Sequence, residues 1–150
     1  MKRKSEMLSF GYKARDIAKY IILHEDEKGY TLNNLKLQKI LYFLQAEYTV
    51  RFNQTLFDDE IIAWPCGPVI ESAYYEYNRC GSATIFIHSK KMPYIAPSDR
   101  KIINAMLDKL RPYSATSLCK ITVNQAPWKV AYARYDNVIY PYSLREYFKE

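Results

Sequence analysis

One thiol beside a glycine-proline pair, two imidazoles and a run of three carboxylates are the side chains of this 150-residue sequence best suited to chemistry. If Gly67-Pro68 opens a helix, the positive end of that helix would hold the neighbouring Cys66 partly as thiolate. A cysteine nucleophile also needs a base, and His24 and His88 are the only histidines. Asp58-Asp59-Glu60 offers acid–base or metal chemistry in principle, but consecutive carboxylates mark a solvated turn and cannot all face one site. Cys66, Cys80 and Cys119 are odd in number and widely spaced, unlike either a disulfide framework or a zinc site. No glycine-rich phosphate loop, spaced metal-ligand motif or nucleophile signature is present. These residues therefore imply no catalytic residue, no metal and no cofactor, and they point to a binding protein rather than an enzyme.

The elements that would position such side chains read mainly as helices. Ile17, Tyr20, Ile21 and His24 share one side of a helix over 12–24, ended by Glu25-Asp26-Glu27-Lys28-Gly29 with Gly29 as a left-handed stop. The strongest helical signal follows Thr31 as candidate N-cap: Leu37, Ile40, Leu41, Leu44 and Tyr48 make one stripe, widened by Leu35, Tyr42, Phe43 and Ala46. A helix apolar over so much of its circumference belongs at the centre of the domain, with only Lys36, Gln38 and Lys39 of its first turns facing outward. Ile61–Trp64 suits a short strand that Thr84–Ile87 would pair with. Gly67-Pro68 is expected to start a helix with Val69, Ile70, Ala73, Tyr74 and Tyr77 inward, ended by Gly81. Ser98 is the expected cap of a helix over 99–111, and Ser114 of a shorter one. Pro127-Trp128 starts another helix, and Ser143 with Glu146 has capping-box spacing for a last one. The expectation is a mainly α fold, one compact domain over 1–150 of about six or seven helices with at most one short β-hairpin (α+β), and a flexible basic N-terminus over 1–10.

Composition narrows the partners. Hydrophobic residues at 49% and charged residues at 25% suit a globular domain. The longest strongly apolar stretch, Ile40 to Leu44, is far short of the roughly 20 residues that cross a bilayer, so no membrane is implied. Met1-Lys2-Arg3-Lys4 leads into no apolar run, which sets a cytoplasmic expectation. The net charge of +6 is spread along the chain, and Lys2-Arg3-Lys4 is its only run of three basic residues. Arg100, Lys101, Lys109 and Arg111 gather on and around one helix, interrupted by Asp108. These charges motivate the alternative of a nucleic-acid-binding regulator, although no helix-turn-helix pair is evident. Tyrosine, at 15 residues, is the oddity: an apolar ring with a wettable hydroxyl suits both a small core and an interface.

Three ordered segments resemble the Panacea domain, formerly a domain of unknown function, found in SocA-like antitoxins and phage-associated proteins. They are Asn34-Leu35-Lys36-Leu37-Gln38-Lys39-Ile40-Leu41-Tyr42-Phe43, then Ile62-Ala63-Trp64-Pro65-Cys66-Gly67-Pro68-Val69-Ile70, then Ser114-Ala115 with Leu118, Thr122 and Pro127-Trp128. Val123 departs from the pattern, which often has histidine after the threonine, so activity requiring that imidazole is not implied here. The family commonly has an aromatic or basic residue where Cys66 stands, which also speaks against an essential thiol.

The resemblance implies an antitoxin that binds and neutralises a toxin encoded by a neighbouring gene, or an adaptor that delivers the toxin to a Clp-type protease. A nucleic-acid-binding regulator of phage or mobile-element origin stands as the alternative, and a hydrolase behind it. The candidate partner-binding residues are Lys36, Gln38, Lys39, Trp64, Gly67, Pro68, Tyr74, Tyr75, Pro127 and Trp128. Each tryptophan also reads as a core anchor, with a partner groove as the functional counterpart.

Overall fold

A computed structural model describes residues 7–149. Its axis is helix α2, Asn34–Phe52. The side chain of Asn33, not Thr31, caps this helix, accepting from the Lys36 amide at 2.9 Å. Asn53 stops it in the left-handed region at φ 53°. The expected stripe of Leu37, Ile40, Leu41, Leu44 and Tyr48 is wholly buried. Among the helices packed against α2 are α1 (Ala14–Glu27), α4 (Pro97–Leu110), α5 (Ala115–Val123) and α7 (Pro141–Phe148). With α3 (Glu71–Tyr77) and α6 (Ala126–Ala133) they make seven α-helices among the described residues, a mainly α fold with small sheets.

The sheets join what lies far apart in sequence. Strand β1 (Ser9–Tyr12) pairs in parallel with β2 (Thr55–Phe57). Ser9 and Phe10 are thus held in a strand rather than in the expected flexible N-terminus, whose residues 1–6 lie outside the described residues. Strand β3 (Ile61–Trp64) is central between β4 (Gly67–Val69) and β5 (Val138–Ile139), both antiparallel to it. This corrects two expectations. Gly67-Pro68 belongs to a hairpin strand instead of a helix, because Gly67 at φ +114° sits opposite Trp64 and begins an edge strand, where the proline needs no ladder donor. Cys66 accordingly lies in the hairpin turn, away from any helix start. Thr84–Ile87 does not pair with β3; only a single bridge, Asn33 to Thr84, forms there.

Caps divide similarly. Ser114 caps α5, accepting from Ser117 N at 3.0 Å, and Gly29 takes φ +84° just beyond α1. Ser98 is inside α4, which starts with Pro97 after Ala96. Ser143 is inside α7, its hydroxyl donating to Tyr140 O at 2.6 Å instead of forming a capping box. Asp99 gains a larger role than complementing a helix end. Buried at the start of α4, it accepts from Tyr48 at 2.5 Å and Tyr12 at 2.7 Å, tying β1, α2 and α4 together.

Candidate functional site

The hairpin β3–β4 is fastened to α2 by amide side chains that interrupt the apolar surface of that helix. Gln38 accepts from the Ile70 amide at 2.9 Å and donates to Asn34, which donates in turn to Tyr74 O. Two helical turns further, Gln45 does the same for β2, receiving the amides of Leu56 and Phe57 and donating to Phe57 O. Each amide completes backbone groups that no strand reaches, which is why polar residues occupy a central helix. On the far side, Trp128 Nε1 donates to Trp64 O at 2.8 Å, and Tyr42 donates to Gln125 at 2.7 Å, so α6 is clamped over the same hairpin.

Between these clamps lies Lys39, 0% exposed. Its ammonium donates to Pro68 O at 3.2 Å. A Cβ built on Gly67 would stand 2.7 Å from Lys39 Cε and 2.9 Å from Thr122 Oγ1, so the hairpin reaches the lysine only because position 67 has no side chain. Thr122 turns its hydroxyl back onto Leu118 O and Cys119 O, and the Cys119 thiol meets Cys66 O. Burial pushes the Lys39 pKa down, and the neighbouring Cys66 and Cys119 partly oppose this. Burial likewise raises the Cys119 thiol, against the pull of the Lys39 charge. A lysine closed off by Gly67 and Thr122 meets no solute; its chemistry here is to hold the Pro68 carbonyl.

Above this packed layer is an aromatic surface. Trp64 meets Tyr74 edge-on at 4.9 Å and Tyr75 at 6.3 Å, while its Nε1 donates to Glu71 at 3.3 Å. Trp128 stacks on Tyr132 at 4.5 Å. Tyr75 is 58% exposed, Tyr132 is exposed, and the two tryptophans and Tyr74 are half-buried. The carbonyl of Trp64 joins the two aromatic groups through Trp128.

Among the anticipated binding residues, Gln38 and Lys39 therefore do not face outward: the hairpin, contributed from 29 residues further along the chain, covers them. Lys36 is half-buried, its ammonium donating to Arg111 O at 3.0 Å. Gly67, Pro68 and Pro127 are buried. Trp64, Tyr74, Tyr75 and Trp128 reach the surface together. Asn34 and Gln125 as hairpin supports, and Gln45 as the support of β2, were not anticipated, although amides within an apolar run were a usable signal. Tyr132, four residues after Trp128, had helical spacing to mark it. Among the described residues no cluster of three or more His, Cys, Asp or Glu is placed to hold a metal, and no helix is long and apolar enough to cross a membrane.

A hairpin locked onto a central helix, with aromatic rings on its outer side, defines a mainly helical domain whose framework and surface come from the same three segments. Residues 37–129 match the family model described as Antitoxin SocA-like, Panacea domain, and the chain belongs to that family. No curated protein and no solved structure matches it.

Proposed function

We propose that this domain is an antitoxin that binds a toxic protein encoded beside it and occludes that protein's active surface, in the cytoplasm and without catalysis of its own. The observation that carries the reading is the aromatic patch formed by Trp64 of the hairpin with Tyr74 and Tyr75 of α3, on a hairpin that Lys39 and Gln38 hold from within. Rigid aromatic side chains lose little entropy on docking, and such residues dominate interface energetics. Membership of the antitoxin family supports a protein partner.

Co-expression with the adjacent reading frame tests this, scored by growth and co-purification. Rescue and capture by the wild type, both lost in Tyr75→Glu at unchanged melting temperature, is the expected result. Absence of rescue and of capture by the wild type rejects the reading. The toxin's half-life in cells with and without a Clp-type protease tells occlusion from delivery: occlusion leaves it equal, delivery shortens it only where the protease is present. The nucleic-acid alternative predicts tight oligonucleotide binding that falls steeply with salt. Arg111 contributes little there, being committed to Glu25 and Asp108, each at 2.7 Å.

A further inference from the structure

Away from the aromatic patch, α2, α4, α5 and the end of α7 enclose a cleft of about 460 Å³. Its walls have a regular spacing. From α2 come Phe43, Ala46, Glu47 and Val50, from α4 come Met106, Lys109 and Leu110, and Tyr113 stands in the turn that follows α4. The α2 set falls at i, i+3, i+4 and i+7 and the α4 set at i, i+3 and i+4, the rows by which one helix packs its ridges into the grooves of another. Leu118 and Ile121 of α5 continue the floor at i and i+3, and Phe148 closes one end. Tyr113 and Ile121 are exposed, large apolar side chains left in water at the mouth of a concave surface. The pattern is that of a helical bundle lacking one helix.

The charges identify what fills it. Glu47 is already paired with Arg51 at 2.8 Å, whereas Lys109 has no carboxylate partner among the described residues. Lys120, next to Ile121 on α5, has none either. Over residues 97–149, which supply three of the four helices, nine Lys and Arg stand against four Asp and Glu. A second copy of this chain, also at +6, would meet this field unfavourably.

We propose that the cleft receives a single amphipathic helix of a protein partner, its apolar residues at i, i+4 and i+7 on the floor and acidic residues along the border beside Lys109. This surface is separate from the aromatic patch and does not depend on neutralisation of a toxin.

The probe is a lactam-stapled helical peptide of about 18 residues with leucine at those positions and glutamate on its flanks, titrated into the isotopically labelled protein. The expected result is saturable binding, with amide shifts confined to Ala46, Val50, Met106, Leu110, Leu118 and Ile121. Ile121→Glu then weakens binding at least tenfold while circular dichroism and melting are unchanged. Lys109→Glu, an exposed change that leaves the packing alone, lowers affinity for the glutamate peptide and raises it for a lysine-flanked version. The proposal is overturned by an absence of saturable shifts, shifts on another face, or equal binding of both peptides by the wild type. It is equally overturned if an oligonucleotide takes the cleft in competition with the peptide, or if the protein dimerises through this face.

Discussion

Gly67 is where backbone and side-chain demands coincide. Its φ of +114° is one that L-residues rarely adopt, and an added methyl would collide with Lys39 Cε and Thr122 Oγ1 inside a filled layer. Gly67→Ala is expected to cost about 2–4 kcal/mol, read as a lower urea midpoint at unchanged slope. Lys39 makes the opposite kind of prediction. Burial lowers its pKa, so the folded protein releases this proton at a lower pH than the unfolded chain, whose lysine titrates near 10.5. Between those two values the unfolded state binds more protons, and stability rises with pH. Lys39→Met removes the buried charge but leaves Pro68 O without its donor. These effects oppose, and the variant should melt within about 1 kcal/mol of the wild type at neutral pH. As pH is raised toward 10.5 the wild type should gain on the variant; a flat or falling difference would contradict the assignment.

At the scale of elements, Asp99 joins parts that share no local sequence. Asp99→Ala strands the hydroxyl of buried Tyr48 and removes one partner of Tyr12, which also receives the Ala96 amide at 3.1 Å. A loss of about 2–4 kcal/mol is expected. Because β1 is held at one edge by β2 alone, amide exchange in the described strand, Ser9 to Tyr12, should accelerate before that of α2. Equal acceleration of α2 would mean that Asp99 supports the whole core and not this corner. The hairpin clamp is divided between elements in the same way, with α2 holding β4 and the residue after it through Lys39 and Gln38 and α6 holding β3 through Trp128.

For the whole molecule, the ion pairs Arg51–Glu47 and Lys149–Glu146 are solvent-facing and contribute little to stability. Arg111 with the nearly buried Glu25 is better placed, and Tyr30 lies beneath the guanidinium at 4.4 Å. Folding should therefore change little with salt, while the +6 charge should make capture of an acidic partner strongly salt-dependent. The expected outcome is a melting temperature nearly constant from low to high salt, with an association rate falling about tenfold or more. A rate that ignores salt would place apolar contact, not charge, in control of the encounter.

Helix periodicity by itself determined that α2 is the buried axis, since its apolar residues exceed what one packed face requires. The caps at Ser114 and Gly29 were equally legible, being interactions within a few residues. The three motif segments also revealed the family, because their order and spacing are properties of the chain alone. Gly67-Pro68 has the local chemistry of a helix start, and only pairing with Trp64 and Ala63 makes it a strand. Lys39 has the composition of a surface residue, yet a hairpin arriving from further along the chain roofs it over. Two residues, Val138 and Ile139, complete the sheet through partners 76 and 78 positions away, Ile62 and Ile61 respectively being matched across it. The tertiary structure decided these features because strand pairing and lysine burial are free energies of groups distant in sequence, and no local pattern records them.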